Sequence, residues 1–352
     1  MGTSSKIIDC NVHQALKSHH DLLPYLPEPW KNQVRKFGFR APRTYGPPAK
    51  AHINSAYSPA GADAAADPDR LAEAFLDAYG IEYAILTGTM HGISVHADPD
   101  YASALAAAYN DHLIAEWLPK STKYKGAMTV ATQDPRQAAR EIDRIGDHPG
   151  IVQISISSGA ALPLGHRHYQ PMYEAAQRHG LPIAIHPGTE GGGIAYPPTA
   201  AGYVSDYFQF HSALPQSLMA HMISIIGEGV PERFPNLKFI VTGAGIAWLP
   251  HLMWRMDRSY KALRAATPWL KKLPSQYIRD HFYFATQPVE EPEDSDQMRM
   301  LLDMTDAEHI LLFASGYPDW DFDDPSCILP GIQGEARNKI FYRNAAKLYG
   351  LE

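Results

Sequence analysis

Two histidines stand where short apolar runs end: His13 three residues beyond Lys6–Cys10, and His186 as the last residue of Pro182–His186. Near neutral pH an imidazole moves protons, and as a neutral ring it ligates metals. Asp319, in Gly316-Tyr317-Pro318-Asp319-Trp320, is a carboxylate that can orient either ring or act as a base, its plain alternative being a loop cap. Asn11 offers an amide that donates to, or accepts from, a substrate carbonyl. His91, Phe210, Tyr317 and Trp320 are candidate pocket walls, because small-molecule sites are mostly apolar and aromatic with a few placed polar groups. The adjacent Glu290 and Glu291 read as structural before catalytic, since structural networks also perturb carboxylates. His221 reads as a core or supporting histidine. Gly191-Gly192-Gly193 lacks the Lys-Ser/Thr that a phosphate-cradling loop needs.

Elements must position these groups. Eight β-type runs are legible: Lys6–Cys10, Tyr83–Thr87, Lys125–Val130, Ile151–Ile156, Pro182–His186, Leu237–Thr242, Phe282–Thr286 and His309–Ala314. They lack strict alternation, as strands buried on both faces do. Helical patterns lie between them, for example Asp69–Tyr79 and Pro135–Ile145, the latter with Asp134 as N-cap and Pro135 at the first helical position. Alternating strands and helices mean a parallel sheet, and eight units in 352 residues favour an α/β fold of the (β/α)8 barrel type over an open sheet. The chain is read as one domain, 1–352, with two lid-like insertions, 14–68 after the first strand and 187–211 after the fifth. In a barrel both lie over the C-terminal face, where catalytic residues gather.

Composition excludes several classes. A net charge of −7 gives no basic face for nucleic acid. No run approaches the roughly 18 apolar residues of a membrane span, and no leader is legible at the N-terminus. Two cysteines, Cys10 and Cys327, make no disulfide framework, so a reducing, cytoplasmic setting is expected.

Several motifs, in order, carry a resemblance. They are Asp9-x-x-x-His13, Ile185-His186-Pro187-Gly188, Phe234-Pro235-Asn236-Leu237-Lys238-Phe239 and Phe313-Ala314-Ser315-x-Tyr317-Pro318-x-Trp320-Asp321. Ala108-Tyr109-Asn110-Asp111 and Trp248-Leu249-Pro250 strengthen it. Over nearly its whole length the chain resembles the amidohydrolase superfamily, in the group that includes aminocarboxymuconate semialdehyde decarboxylase and related aromatic-acid decarboxylases. That resemblance implies a barrel whose mouth binds a divalent cation through strand-one residues, a strand-five His, at times a strand-six residue, and a strand-eight Asp that also shuttles the proton. His13 and His186 match. Asn11, Gly243 and Gly316 stand at the degenerate positions, and two imidazoles plus an amide fall short of the usual three ligands and water. The expectation is therefore no metal and no other cofactor, with zinc at His13 and His186 as the alternative. The function expected is metal-independent acid/base chemistry by His13, His186 and Asp319 on a small carbonyl or carboxylate compound: decarboxylation, dehydration, cyclisation or hydrolysis. The alternatives are a metal-dependent hydrolase or decarboxylase with altered ligands, and a non-catalytic binding protein. Like its relatives, the chain is expected to be a homodimer.

Overall fold

The computed structural model describes residues 6–47 and 64–352; the rest of the first insertion, 48–63, lies outside the described residues. Eight strands form one sheet in the order β1 to β8: β1 (Ile7–Val12), β2 (Ile81–Leu86), β3 (Tyr124–Thr129), β4 (Ile151–Ser157), β5 (Ile183–His186), β6 (Phe239–Val241), β7 (Phe282–Ala285) and β8 (Leu311–Leu312). Every neighbouring pair is parallel. Cys10 N–H donates to Phe313 O at 3.0 Å, which joins the last strand to the first. The architecture is the expected (β/α)8 barrel. β8 is shorter than the predicted His309–Ala314, because Ala307–Ile310 forms a helical turn behind Asp306, whose φ is +58°.

The principal helices, leaving aside other short turns, are α1 (Trp30–Phe37), α2 (Pro68–Leu71), α3 (Pro99–His112), α4 (Pro135–Ile145), α5 (Gln170–Arg178), α6 (Tyr207–Gly227), α7 (Leu249–Leu263), α8 (Pro274–His281), α9 (Ser295–Thr305) and α10 (Asn344–Tyr349). Three of them open with the same Asp-Pro pair. Asp67, Asp98 and Asp134 each accept backbone N–H groups of the first turn, and the proline that follows gives up no bond there. Asp206 and Asp294 cap α6 and α9 in the same way.

Two apolar layers result. The outer one packs helices on strands. The inner one fills the barrel with Ile8, Cys10, Ile85, Val152, Ile240 and Leu312, and α10 closes that end with Ala345, Ala346 and Tyr349. Tyr349 Oη donates to Gln153 Oε1 at 2.7 Å, so even the plug's hydroxyl is satisfied. Fully burying such side chains contributes about 1.5–3 kcal/mol each, which makes this interior a rigid base. The strands' other ends carry Asn11, Thr87, Thr129, Ser157, His186 and Ser315, and there the polar chemistry begins.

Candidate active site

His13 is buried just beyond β1, and its backbone N–H donates to Tyr317 O at 2.8 Å, tying it to the loop after β8. Its Nδ1 lies 2.7 Å from Asp319 Oδ2. Burial pushes the His13 pKa down, but the charge and hydrogen bond of Asp319, aided by Asp321 and Asp9, carry it above the ordinary value. For Asp319 burial works upward, and the neighbouring His13 more than reverses it, leaving the carboxyl below the usual range.

His186 Nδ1–H donates to Pro187 O at 2.6 Å, which fixes its tautomer and leaves Nε2 free. Burial and then the charge of His13 bring its pKa down to about 3. His91, from the loop after β2, lies flat on His186 with centroids 4.2 Å apart and planes 4° apart. Burial, then His186 and His13, hold it well below the ordinary value. His13 meets both edge-on, at 5.1 Å from His186 and 6.0 Å from His91. One nitrogen from each of the three rings lies within 4.8 Å of the other two.

Asn11 is fully buried in β1. Its Oδ1 accepts from Thr87 Oγ1 at 2.8 Å and stands 3.1 Å from His13 Nε2. With Nδ1–H committed to Asp319, a neutral His13 points an Nε2 lone pair at that oxygen. A proton or a cation between them relieves the conflict. Asn11 Nδ2 is sealed in without a partner; the opposite amide rotamer would satisfy Nδ2 and orphan Oδ1 instead. Two rings kept neutral and a third facing an amide oxygen form a donor set that suits a borderline divalent cation. Sequence reasoning paired only His13 with His186. His91 sits in a loop with no motif around it, so nothing in the chain marked it as the third ring.

The other candidates separate. Asp319 and Asn11 join the cluster. Trp320 Nε1 donates to Tyr207 Oη at 3.2 Å, and Phe210 stacks on Tyr45 at 4.5 Å, so both are engaged with aromatic partners outside the imidazole cluster. Tyr317 stacks on Phe75 at 4.3 Å and packs against Phe322, which turns its ring into the helical layer and away from the three imidazoles. Glu290 accepts Ile246 N–H and Ala247 N–H ahead of α7, a structural cap. His221 accepts Leu164 N–H through Nδ1 and donates Nε2–H to Ser158 O. Gly243 places no atom over His186: a Cβ there would stand 3.4 Å from Nε2 and 3.0 Å from Pro187 Cδ.

Comparison with known proteins bears on the metal. A γ-resorcylate decarboxylase of Polaromonas sp. is 26% identical over 303 residues, spanning 78% of this chain and 85% of that protein. A 5-carboxyvanillate decarboxylase from Novosphingobium aromaticivorans, crystallised with manganese, superposes with a TM-score of 0.72 at 22% identity, covering 99% of this chain and 97% of that one. A dihydroxybenzoic acid decarboxylase from Polaromonas sp. JS666, crystallised with manganese and 2-nitroresorcinol, gives a TM-score of 0.66 at 21% identity, covering 99% and 97%. The expectation of no metal is thereby corrected. Structures of this fold hold manganese, and the ligand count that argued against a metal omitted His91, which only the folded chain brings to the other two rings. The family model described as Amidohydrolase matches residues 8–351, and the chain belongs to that family.

Proposed function

We propose that the protein is a divalent-metal-dependent decarboxylase acting on a small hydroxylated aromatic acid. The observation that carries this reading is the convergence of His13, His91 and His186 at the barrel mouth, two of them held neutral by burial. The γ-resorcylate and 5-carboxyvanillate decarboxylases among the relatives supply the substrate class. A cation held by the three imidazoles would supply positive charge for the substrate's carboxylate and the oxygen beside it.

The chain's own groups do the rest. Pro187 O, through Nδ1–H, keeps the His186 Nε2 lone pair turned outward, and Asp319 does the same for His13. Thr87 holds the Asn11 amide. Decarboxylation breaks the bond from ring carbon to carboxyl carbon, leaves the electron pair on the ring and requires a proton there. Asp319 is the proton carrier in this scheme. Its side chain is 46% exposed, so it takes a proton from solvent, passes it to the ring carbon and returns to the carboxylate that accepts His13 Nδ1–H.

The test is direct. Protein reconstituted with manganese is expected to hold about one ion per chain, and CO2 release from γ-resorcylate should stop with chelator and return with manganese. His91→Ala and His186→Ala should each lose most of the bound ion while keeping the wild-type melting profile. Full metal content in both variants, or release indifferent to chelator, overturns the assignment.

A further inference from the structure

β7 gives way to its loop close to Gln287, and β8 to its loop close to Gly316, and the pairing Ala285↔Leu312 makes those two loop starts neighbours. A Cβ built on Gly316 would lie 2.5 Å from Gln287 Cδ, 2.7 Å from Nε2 and 2.8 Å from Oε1. The Gln287 carboxamide therefore lies face-on against the Gly316 backbone, in the space that a side chain from the end of β8 would take. Gly316 also has φ +68°, a conformation that excludes most side chains independently. Its N–H donates to Asn11 O at 3.1 Å, and the next residue's carbonyl accepts His13 N–H at 2.8 Å. Gly316 and Tyr317 are thus stitched to Asn11 of β1 and to His13 just beyond it.

Gln287 is 3% exposed. Among the described residues its Nε2 reaches only Asp321 O, at 3.4 Å. Its Oε1 takes part in no hydrogen bond among the described residues. An amide oxygen held in a buried position without a donor costs free energy until water or a ligand supplies one.

We infer that Gln287 is a specificity-determining residue whose Oε1 accepts a hydrogen bond from a hydroxyl on the substrate ring, next to the reacting carboxylate. The inference rests on the reading of the site as an aromatic-acid decarboxylase. A neutral amide suits that position: it accepts from a phenol without repelling the anion beside it, as a carboxylate would.

Gln287→Leu keeps most of the volume and removes the acceptor, whereas Gln287→Glu keeps an acceptor and adds charge. Binding of γ-resorcylate and of benzoate, which lacks the hydroxyls, is measured by calorimetry on manganese-loaded protein, with melting curves to confirm folding. Gln287→Leu is expected to weaken γ-resorcylate about tenfold and leave benzoate unchanged. Gln287→Glu should weaken both acids and keep the preference for the hydroxylated one. Equal loss on both acids in Gln287→Leu, or no loss, overturns the inference. If wild type binds neither acid, the decarboxylase reading fails, and 2-nitroresorcinol against nitrobenzene decides the role of Gln287. A hydroxyl preference that Gln287→Leu abolishes upholds it, and the absence of one overturns it.

Discussion

His13 and His186 sit 5.1 Å apart, and the fold drives them in opposite directions. Both are desolvated. The difference is the group on Nδ1: a carboxylate at 2.7 Å for His13, a backbone carbonyl at 2.6 Å for His186. A negative charge at that distance outweighs burial, and a neutral dipole does not. In the proposed site, Asp319 thereby acts on the metal through His13, besides carrying the proton. Replacing it by Ala is expected to lower manganese affinity about 10–100-fold, because the outer partner fixes the tautomer and raises the basicity of the ligating nitrogen. Calorimetric titration of the variant checks this, and wild-type affinity would reduce Asp319 to a loop cap. Glu290 and Tyr317 teach the converse. Each follows a strand end, yet one caps a helix and the other packs on Phe75. A polar or aromatic type at a barrel mouth names a candidate, and its rotamer decides.

At the scale of elements, the segments that follow β1 and β5 meet. Tyr45, from the arm after β1, stacks on Phe210 of α6 with planes 18° apart, and its hydroxyl donates to Val204 O at 2.8 Å. The glycines of the loop after β5 allow this approach. A Cβ on Gly193 would fall 1.9 Å from Val95 O, and one on Gly192 2.9 Å from Arg43 O. Gly192 and Gly193 are therefore a seat for neighbouring backbone, and Gly191 faces the side chains of Pro198 and Tyr203. Tyr45→Ala removes a stack of about 0.5–1.5 kcal/mol and a hydrogen bond of about 1 kcal/mol. The arm should open more often, so limited proteolysis within residues 38–47 is expected to speed up about tenfold while the barrel's melting temperature holds. Unchanged cleavage would mean that other contacts hold the arm.

Across the whole molecule, the net charge of −7 is unevenly spread. A cavity of about 840 Å³ between the loops after β7 and β8 is lined by Glu290, Glu291, Asp321, Asp323 and Asp324, with no lysine or arginine among the described residues of its wall. Burial first, and then Asp321, Glu291 and Glu290, push the Asp323 carboxyl up to about 7. Because that value lies above the unfolded one, the folded state holds the proton more tightly. This contribution to stability is complete below about pH 4 and is lost as pH rises through 7. Asp323→Asn, which can still accept from Val289 N–H, is expected to gain on wild type from pH 5 to pH 8. Denaturant midpoints at the two pH values measure it, and an equal difference at both would refute the electrostatic account. Among the described residues no helix is long and apolar enough to cross a membrane.

The fold was legible because it depends on local patterns. Apolar runs bounded by Gly, Pro and Asp, and Asp-Pro pairs before α2, α3 and α4, mark strands and helix starts whatever lies elsewhere in the chain. His13, His186 and Asn11 were legible because they sit within or immediately beyond β1 and β5. The ligand count was not. His91 lies 78 positions from His13 and 95 from His186 in the chain, and only closure of the barrel stacks it on one ring and edges it to the other. The partners of Gln287, Tyr317 and Glu290 were equally hidden, because a side chain's direction is set by packing among elements far apart in sequence. Sequence therefore determined the strands and helices and the strand-end groups Asn11, His13 and His186, and tertiary structure decided which side chains touch, since contact there is a property of the closed sheet.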